Sequence, residues 1–118
     1  MADEFDDGRT LAQLIEACRN IQGFIEDIEP SSFAANLTIS SAVCWQFAIL
    51  GEAASRFSSE GQKRSPQFPW RGVKDFRNRI VHEYDKIDLD EVWRTAKFGV
   101  PNYLAQLSRI QRRPQSES

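Results

Sequence analysis

Histidine is nearly missing from this chain: His82 is the only one among 118 residues. Cysteine is sparse as well, with Cys18 and Cys44 the only two and no Cys-x-x-Cys pair. Zinc needs closely spaced His and Cys donors, so neither a zinc site nor any other bound metal is expected. No apolar run approaches the roughly 18 residues of a membrane-spanning helix, so no membrane span is expected. The opening MADEFDDGRT is acidic and lacks the apolar core of a secretory signal. The expected location is therefore the cytoplasm, where a disulfide is not favoured and both thiols act as small buried hydrophobes. No stretch alternates apolar and polar residues with period two, and there is no internal repeat or low-complexity segment.

What is present reads as helix. Apolar residues make up 41% and charged residues 27%, the balance of a globular domain, and the length suits one domain rather than two. Leu11, Leu14, Ile15, Cys18, Ile21, Ile25 and Ile28 recur at three- and four-residue steps, one face of an amphipathic helix. Thr10 with Gln13 forms a capping-box pattern at its start. Pro30-Ser31-Ser32 breaks the stripe and offers a new N-cap. A second stripe, Val43, Phe47, Leu50, Ala54 and Phe57, runs through a segment of roughly 33–58. Asn36 to Ser41 holds poor helix formers, which predicts a kink or short break there. Gly51 lies mid-helix, where it costs about 1 kcal/mol relative to alanine unless another helix needs the space. Ser58 to Ser65 reads as a polar loop. A third helix starts near Pro69 and buries Trp70, Val73, Phe76, Ile80 and Val81. Glu83 to Lys86 reads as a turn. Asp88 with Glu91 resembles a capping box for a fourth helix, whose stripe runs from Leu89 to Ile110 and which Gly99 and Pro101 should kink. The expected architecture is all-α, a four-helix up-and-down bundle with kinked helices, formed by residues 1–111 as one domain, with a disordered tail at 112–118.

The net charge of −2 conceals an asymmetry. Residues 1–29 carry eight acids against Arg9 and Arg19, a balance of −6. Residues 63–86 carry seven bases, among them Arg71, Lys74, Arg77 and Arg79, against three acids, a balance of +4. A local positive patch suits a phosphate backbone, and a solvated mixed-charge surface has the same composition.

The single histidine lies in Phe76-Arg77-Asn78-Arg79-Ile80-Val81-His82-Glu83-Tyr84. A lone histidine near a helix end is commonly a surface residue favoured by the helix dipole. Yet arginine offers a planar fork of donors for a phosphate, and histidine exchanges protons near neutrality. Arg77 and His82 are five apart, so on an ideal helix they point about 140° away from each other. Asn78, four before His82, shares its face.

Arg-Asn-x-x-x-His-x-Tyr at 77–84 resembles the signature of the HepT-like branch of the HEPN superfamily. The resemblance extends over residues 9–110: Ile49-Leu50-Gly51-Glu52-Ala53-Ala54 is similar to the family's Gly-Glu-Ala segment, Phe68-Pro69-Trp70 to its Pro-Trp entry, and Asp88-Leu89-Asp90-Glu91-Val92-Trp93 with Pro101 to its last helix. An Arg-x-x-x-x-His match alone is common; the ordered set is specific.

The resemblance implies a metal-independent ribonuclease acting as the toxin of a type VII-like toxin–antitoxin system. Arg77 and His82 would be its catalytic pair and Asn78 a supporting residue. It implies a homodimer whose shared cleft holds two Arg–His pairs, RNA as substrate, and no cofactor. It further implies a nucleotidyltransferase antitoxin of the MntA type that adenylylates Tyr84. Arg79, Lys74 and Arg71 are candidate contacts to the RNA backbone. Trp45, Trp70 and Trp93 are expected in the core or at the dimer interface rather than as base-stacking platforms. Glu52 is spaced to pair with Arg56, or alternatively to meet Arg77 or Arg79. The competing reading is a catalytically idle HEPN module that binds nucleotide or docks on a nucleotidyltransferase.

Overall fold

The computed structural model describes residues 7–113. The acidic stretch before Asp7 and residues 114–118 of the expected tail lie outside the described residues. All regular structure among the described residues is helical: α1 (Asp7–Ile25), α2 (Pro30–Ala35), α3 (Leu37–Arg56), α4 (Ser59–Arg64), α5 (Trp70–His82), α6 (Leu89–Arg94) and α7 (Val100–Arg112). A 3-10 turn covers Tyr84–Lys86, and a π-helical turn, Thr95–Gly99, joins α6 to α7.

The expected stripes become the core, except that Val81, expected on the buried side of its helix, is exposed. Leu11, Leu14, Ile15, Cys18, Ile21 and Ile25 of α1 are buried against Val43, Phe47, Leu50 and Ala54 of α3. The opposite flank of α3 takes Val73, Phe76 and Ile80 of α5, with Phe47 and Phe76 meeting edge to face at 5.0 Å. Val100 and Leu107 of α7 close the far side of α1. α3 is thus the central rod of a body measuring 47 × 28 × 20 Å. With 20 residues and a mean hydropathy of 1.3 it is long and apolar enough to cross a bilayer, a property that central core helices share.

Several local expectations change. α1 begins at Asp7, so Thr10 is a buried residue inside the helix and not its cap. Asp7 itself has a long-range partner: its carboxylate accepts from both the backbone N–H and the hydroxyl of Ser58. α2 starts on Pro30, with Glu29 at the cap position and no side-chain cap bond, so Ser31 and Ser32 lie within the first turn. Proline suits that place because the first-turn N–H has no helical partner. The predicted break falls at Asn36, whose side chain accepts from the Ile39 N–H at 3.0 Å and so opens α3. The polar segment after Ser58 is the helix α4 rather than a loop, capped by Ser58 Oγ on the Gly61 N–H at 2.9 Å. Gly61 is required there: a β-carbon would lie 2.4 Å from the Phe57 ring.

The interruption expected at Gly99 and Pro101 takes the form of the π turn. The Val100 N–H donates to the Thr95 carbonyl, five residues back. Pro101 lacks an N–H to donate, and the wider turn lets the helix continue past it. The capping box at Asp88 is half made: Asp88 accepts from the Asp90 N–H at 2.9 Å, while Glu91 turns away to another partner. α7 runs through Arg112, beyond the expected boundary at 111, and Arg113 donates to the Arg64 carbonyl at 3.1 Å.

Candidate functional site

α5 carries most of the candidate residues, and its apolar side fixes how they are presented. Trp70 anchors its start, stacked on Phe57 at 4.7 Å and donating from Nε1 to the Ser65 carbonyl at 2.9 Å. Val73, Phe76 and Ile80 pin the helix to α3. With that face fixed, Arg77 points along the α3 contact, while Asn78 and His82 face solvent.

Gly51 makes the contact possible. A β-carbon there would lie 2.2 Å from Arg77 Cβ and 3.1 Å from the Val73 carbonyl oxygen. The mid-helix glycine is therefore the seat on which Arg77 rests. The neighbouring Glu52 takes the end of the same side chain, Arg77 Nη2 to Glu52 Oε1 at 3.0 Å. Of the two alternatives for Glu52, both are realised, because its second oxygen lies 3.4 Å from Arg56 Nη1. Arg56 in turn donates from Nη2 to Gln13 Oε1 at 2.9 Å.

His82 is the last residue of α5 and is exposed. Tyr84 follows in the 3-10 turn with 66% of its surface accessible. Within one chain Arg77 and His82 stand about 7.5 Å apart along the helix axis and about 140° apart around it. The structure thus brings Arg77 to Glu52 and leaves His82, Asn78 and Tyr84 facing outward.

The backbone-contact candidates divide. Arg79 is engaged by Glu91, Nη1 to Oε1 at 3.1 Å and Nη2 to Oε2 at 2.7 Å, and it lies over the Phe76 ring at 5.1 Å. These hydrogen bonds hold the Glu91 carboxyl below its usual range and raise the Arg79 guanidinium. For Arg79 to reach RNA it must first leave Glu91. Arg71 is exposed with only a 4.0 Å approach to Asp75, and Lys74 is half-buried.

Beside Tyr84 lies an apolar groove of about 590 Å³, lined on α3 by Leu37, Cys44 and Trp45 and on the motif side by Val81, Tyr84 and Ile87. Leu37 and Trp45 are 72% and 66% accessible. The core stripes of the sequence do not point to this groove. Its signal was Trp45 and Leu37 lying off the core stripe of their helix. Trp70 is in the core as expected, and Trp93 is partly buried with Nε1 on the Ile28 carbonyl at 3.3 Å.

A helical frame that seats the arginine of Arg-Asn-x-x-x-His-x-Tyr against a Gly-Glu pair, with the histidine at the helix end and the tyrosine in the turn after it, is consistent with a HEPN-type protein. The family model described as Ribonuclease HepT-like matches residues 14–110, and the chain belongs to that family. A Methanocaldococcus jannaschii protein named "Putative RNase" is 30% identical over 77% of this chain and 84% of its own length. A second protein of that organism with the same description is 26% identical over 85% of this chain and 83% of its own. A protein of Thermococcus cleftensis named "Probable ribonuclease HepT" is 24% identical over 86% of this chain and 93% of its own. No solved structure matches at a comparable level. Ribonuclease activity is the family-level assignment that these relatives support.

Proposed function

We propose that this chain is the toxin of a type VII-like toxin–antitoxin pair, a metal-independent ribonuclease that works as a homodimer of HEPN-type four-helix bundles. The observation that carries the reading is the geometry of α5. Arg77 is held on one side, and His82, about 140° further round, is exposed where the helix ends. An open apolar groove adjoins the end of that same helix. A second copy seated on the groove would cover Trp45, Leu37 and Val81 and bring two motif helices together. A symmetric contact of this kind is the commonest route to a dimer.

In the cleft so formed, a ribose 2′-hydroxyl attacks the adjacent phosphorus and the P–O5′ bond breaks. His82 takes the hydroxyl proton or returns one to the leaving oxygen. Arg77 stabilises the charge building on the non-bridging oxygens, and Asn78 orients His82 or the phosphate. A substrate without 2′-hydroxyls has no nucleophile, which sets RNA apart from DNA. The antitoxin, a nucleotidyltransferase of the MntA type, transfers AMP from ATP to the Tyr84 hydroxyl and releases pyrophosphate. The added phosphate would compete for Arg77 and obstruct the cleft.

The test is induction of the wild type, Arg77→Ala and His82→Ala in cells, followed by incubation of each purified protein with RNA in excess chelator. Growth arrest and cleavage by the wild type, lost in both folded variants, support the reading. Intact RNA and normal growth with the wild type would replace it with the idle interaction module. Equal cutting of an all-deoxy substrate would exclude the 2′-hydroxyl mechanism.

A further inference from the structure

Two arginines on α5 meet carboxylates in different ways. Glu91 closes on Arg79 with both oxygens, occupying both terminal nitrogens. Glu52 touches Arg77 with one oxygen at one nitrogen, Nη2, and its other oxygen is drawn toward Arg56. Among the described residues Arg77 Nη1 therefore has no carboxylate on it, and Arg77 Nε is buried without a hydrogen-bond partner. The stem of Arg77 is fixed as well, its Cβ and Cγ lying over Gly51. Only 24% of the Arg77 side chain is accessible, against 93% for Arg71 one turn and a half earlier on the helix.

We propose that Glu52 is a positioning residue for Arg77, holding the guanidinium in one place so that its Nη1 donors meet the scissile phosphate already oriented. This rests on the ribonuclease reading, in which Arg77 binds that phosphate. A free arginine loses the motion of a long side chain when it captures an anion; an arginine clamped at stem and tip has already lost it. Glu52 is not a stand-in for the phosphate. A carboxylate occupying the anion position would engage the fork with two oxygens, as Glu91 does with Arg79. The chain of contacts runs from Gln13 on α1 through Arg56 and Glu52 on α3 to Arg77 on α5, so three helices fix one guanidinium.

The test compares full-length wild type, Glu52→Ala and Glu52→Gln by RNA cleavage kinetics and by the Arg77 Nε–Hε signal in ¹H–¹⁵N NMR. Glu52→Ala is expected to lower kcat by about 10–100-fold, the order of loss from misplacing a catalytic group by about an ångström, with little change in KM. Glu52→Gln keeps an oxygen at the same reach without the charge of the ion pair and is expected to recover part of kcat. The Arg77 Nε–Hε signal should exchange faster with water and broaden in Glu52→Ala, and return toward the wild-type state in Glu52→Gln. Unchanged kcat in Glu52→Ala, a rise in kcat, or an Arg77 signal identical to the wild type would each overturn the proposal. If the wild type itself leaves RNA intact, the ribonuclease reading fails, and the NMR comparison alone still decides whether Glu52 holds Arg77.

Discussion

Arg77 and Gly51 occupy complementary places: the arginine's Cβ lies where the glycine's would be, 2.2 Å from the position a β-carbon on Gly51 would take. The two helices can approach this closely only because one of them has no side chain there.

Gly51→Ala therefore forces α3 and α5 apart at the seat of Arg77. The contact is with a stem carbon rather than a flexible tip, so the backbone must move. The expected cost is about 1–3 kcal/mol of stability, measured by urea unfolding. Cleavage should fall further than the folded fraction, because Arg77 moves with α5. A variant as stable as the wild type would mean that the helices re-pack without strain.

The Arg79–Glu91 pair predicts a small acid-side loss. Its hydrogen bonds depress the Glu91 pKa, so the stabilisation is present above the ordinary carboxylate range and fades as pH falls through it. Both groups are more than a third exposed at the surface, which limits the effect to about 0.5 kcal/mol. Glu91→Gln should show that difference from the wild type at pH 7 and a progressively smaller one as pH falls below the ordinary carboxylate range, in parallel thermal melts. A difference that persists at low pH would assign the loss to packing instead.

Cys18 predicts the opposite limb. Burial pushes its thiol up to about 12, so the folded chain holds that proton more tightly than the unfolded chain does. The stability it confers is complete below the unfolded pKa, near 9, and is lost as pH rises toward 12. Within that window the wild type should lose about 1.4 kcal/mol per pH unit more than Cys18→Ala does. The same burial makes the native thiol inert to disulfide reagents at pH 8 until the chain unfolds. Fast labelling of Cys18 in the native protein would contradict the packing of α1 on α3.

Trp45→Glu tests the groove. A charge in an apolar contact between copies is expected to give monomers in sedimentation velocity, with the circular dichroism unchanged because Trp45 contributes little to the core. Under the proposed function the monomer also loses cleavage. A Trp45→Glu protein that stays dimeric moves the interface elsewhere.

Tyr84→Phe should cleave RNA as the wild type does yet gain no 329 Da adduct, the mass of an adenylyl group, on incubation with the cognate nucleotidyltransferase and ATP, read by intact-mass spectrometry. Adduct formation on the variant would place the modification on another residue.

Much of the frame was legible in the sequence because it rests on periodicity. Every residue of the first stripe from Leu11 to Ile25 is buried, and α5 begins and ends where Pro69 and the Glu83 turn suggested. What escaped depended on residues far apart in the chain. Nothing local to Ser58–Ser65 announces a helix; Asp7, fifty-one positions earlier, holds its cap. Thr10 lies inside α1, which already covers Asp7, the residue that makes this distant bond. The motif residues were legible as types and spacing, and Gly51 as a glycine needing a reason. The partner of Glu52 was open between Arg56, Arg77 and Arg79 until the packing of α3 on α5 selected the first two and gave Arg79 to Glu91.

The clasp of Asp7 on Ser58 also settles how the molecule can be handled. It draws the start of α1 to the C-terminal end of α3, and Arg113 reaches the neighbouring α4. The groove with Leu37 and Trp45 lies toward the other end of α3, a helix of 20 residues and so about 30 Å long. Asp7 and Arg113 thus both lie on the side remote from Tyr84, so a dye carried on a cysteine at position 113 would report on the molecule without touching that groove.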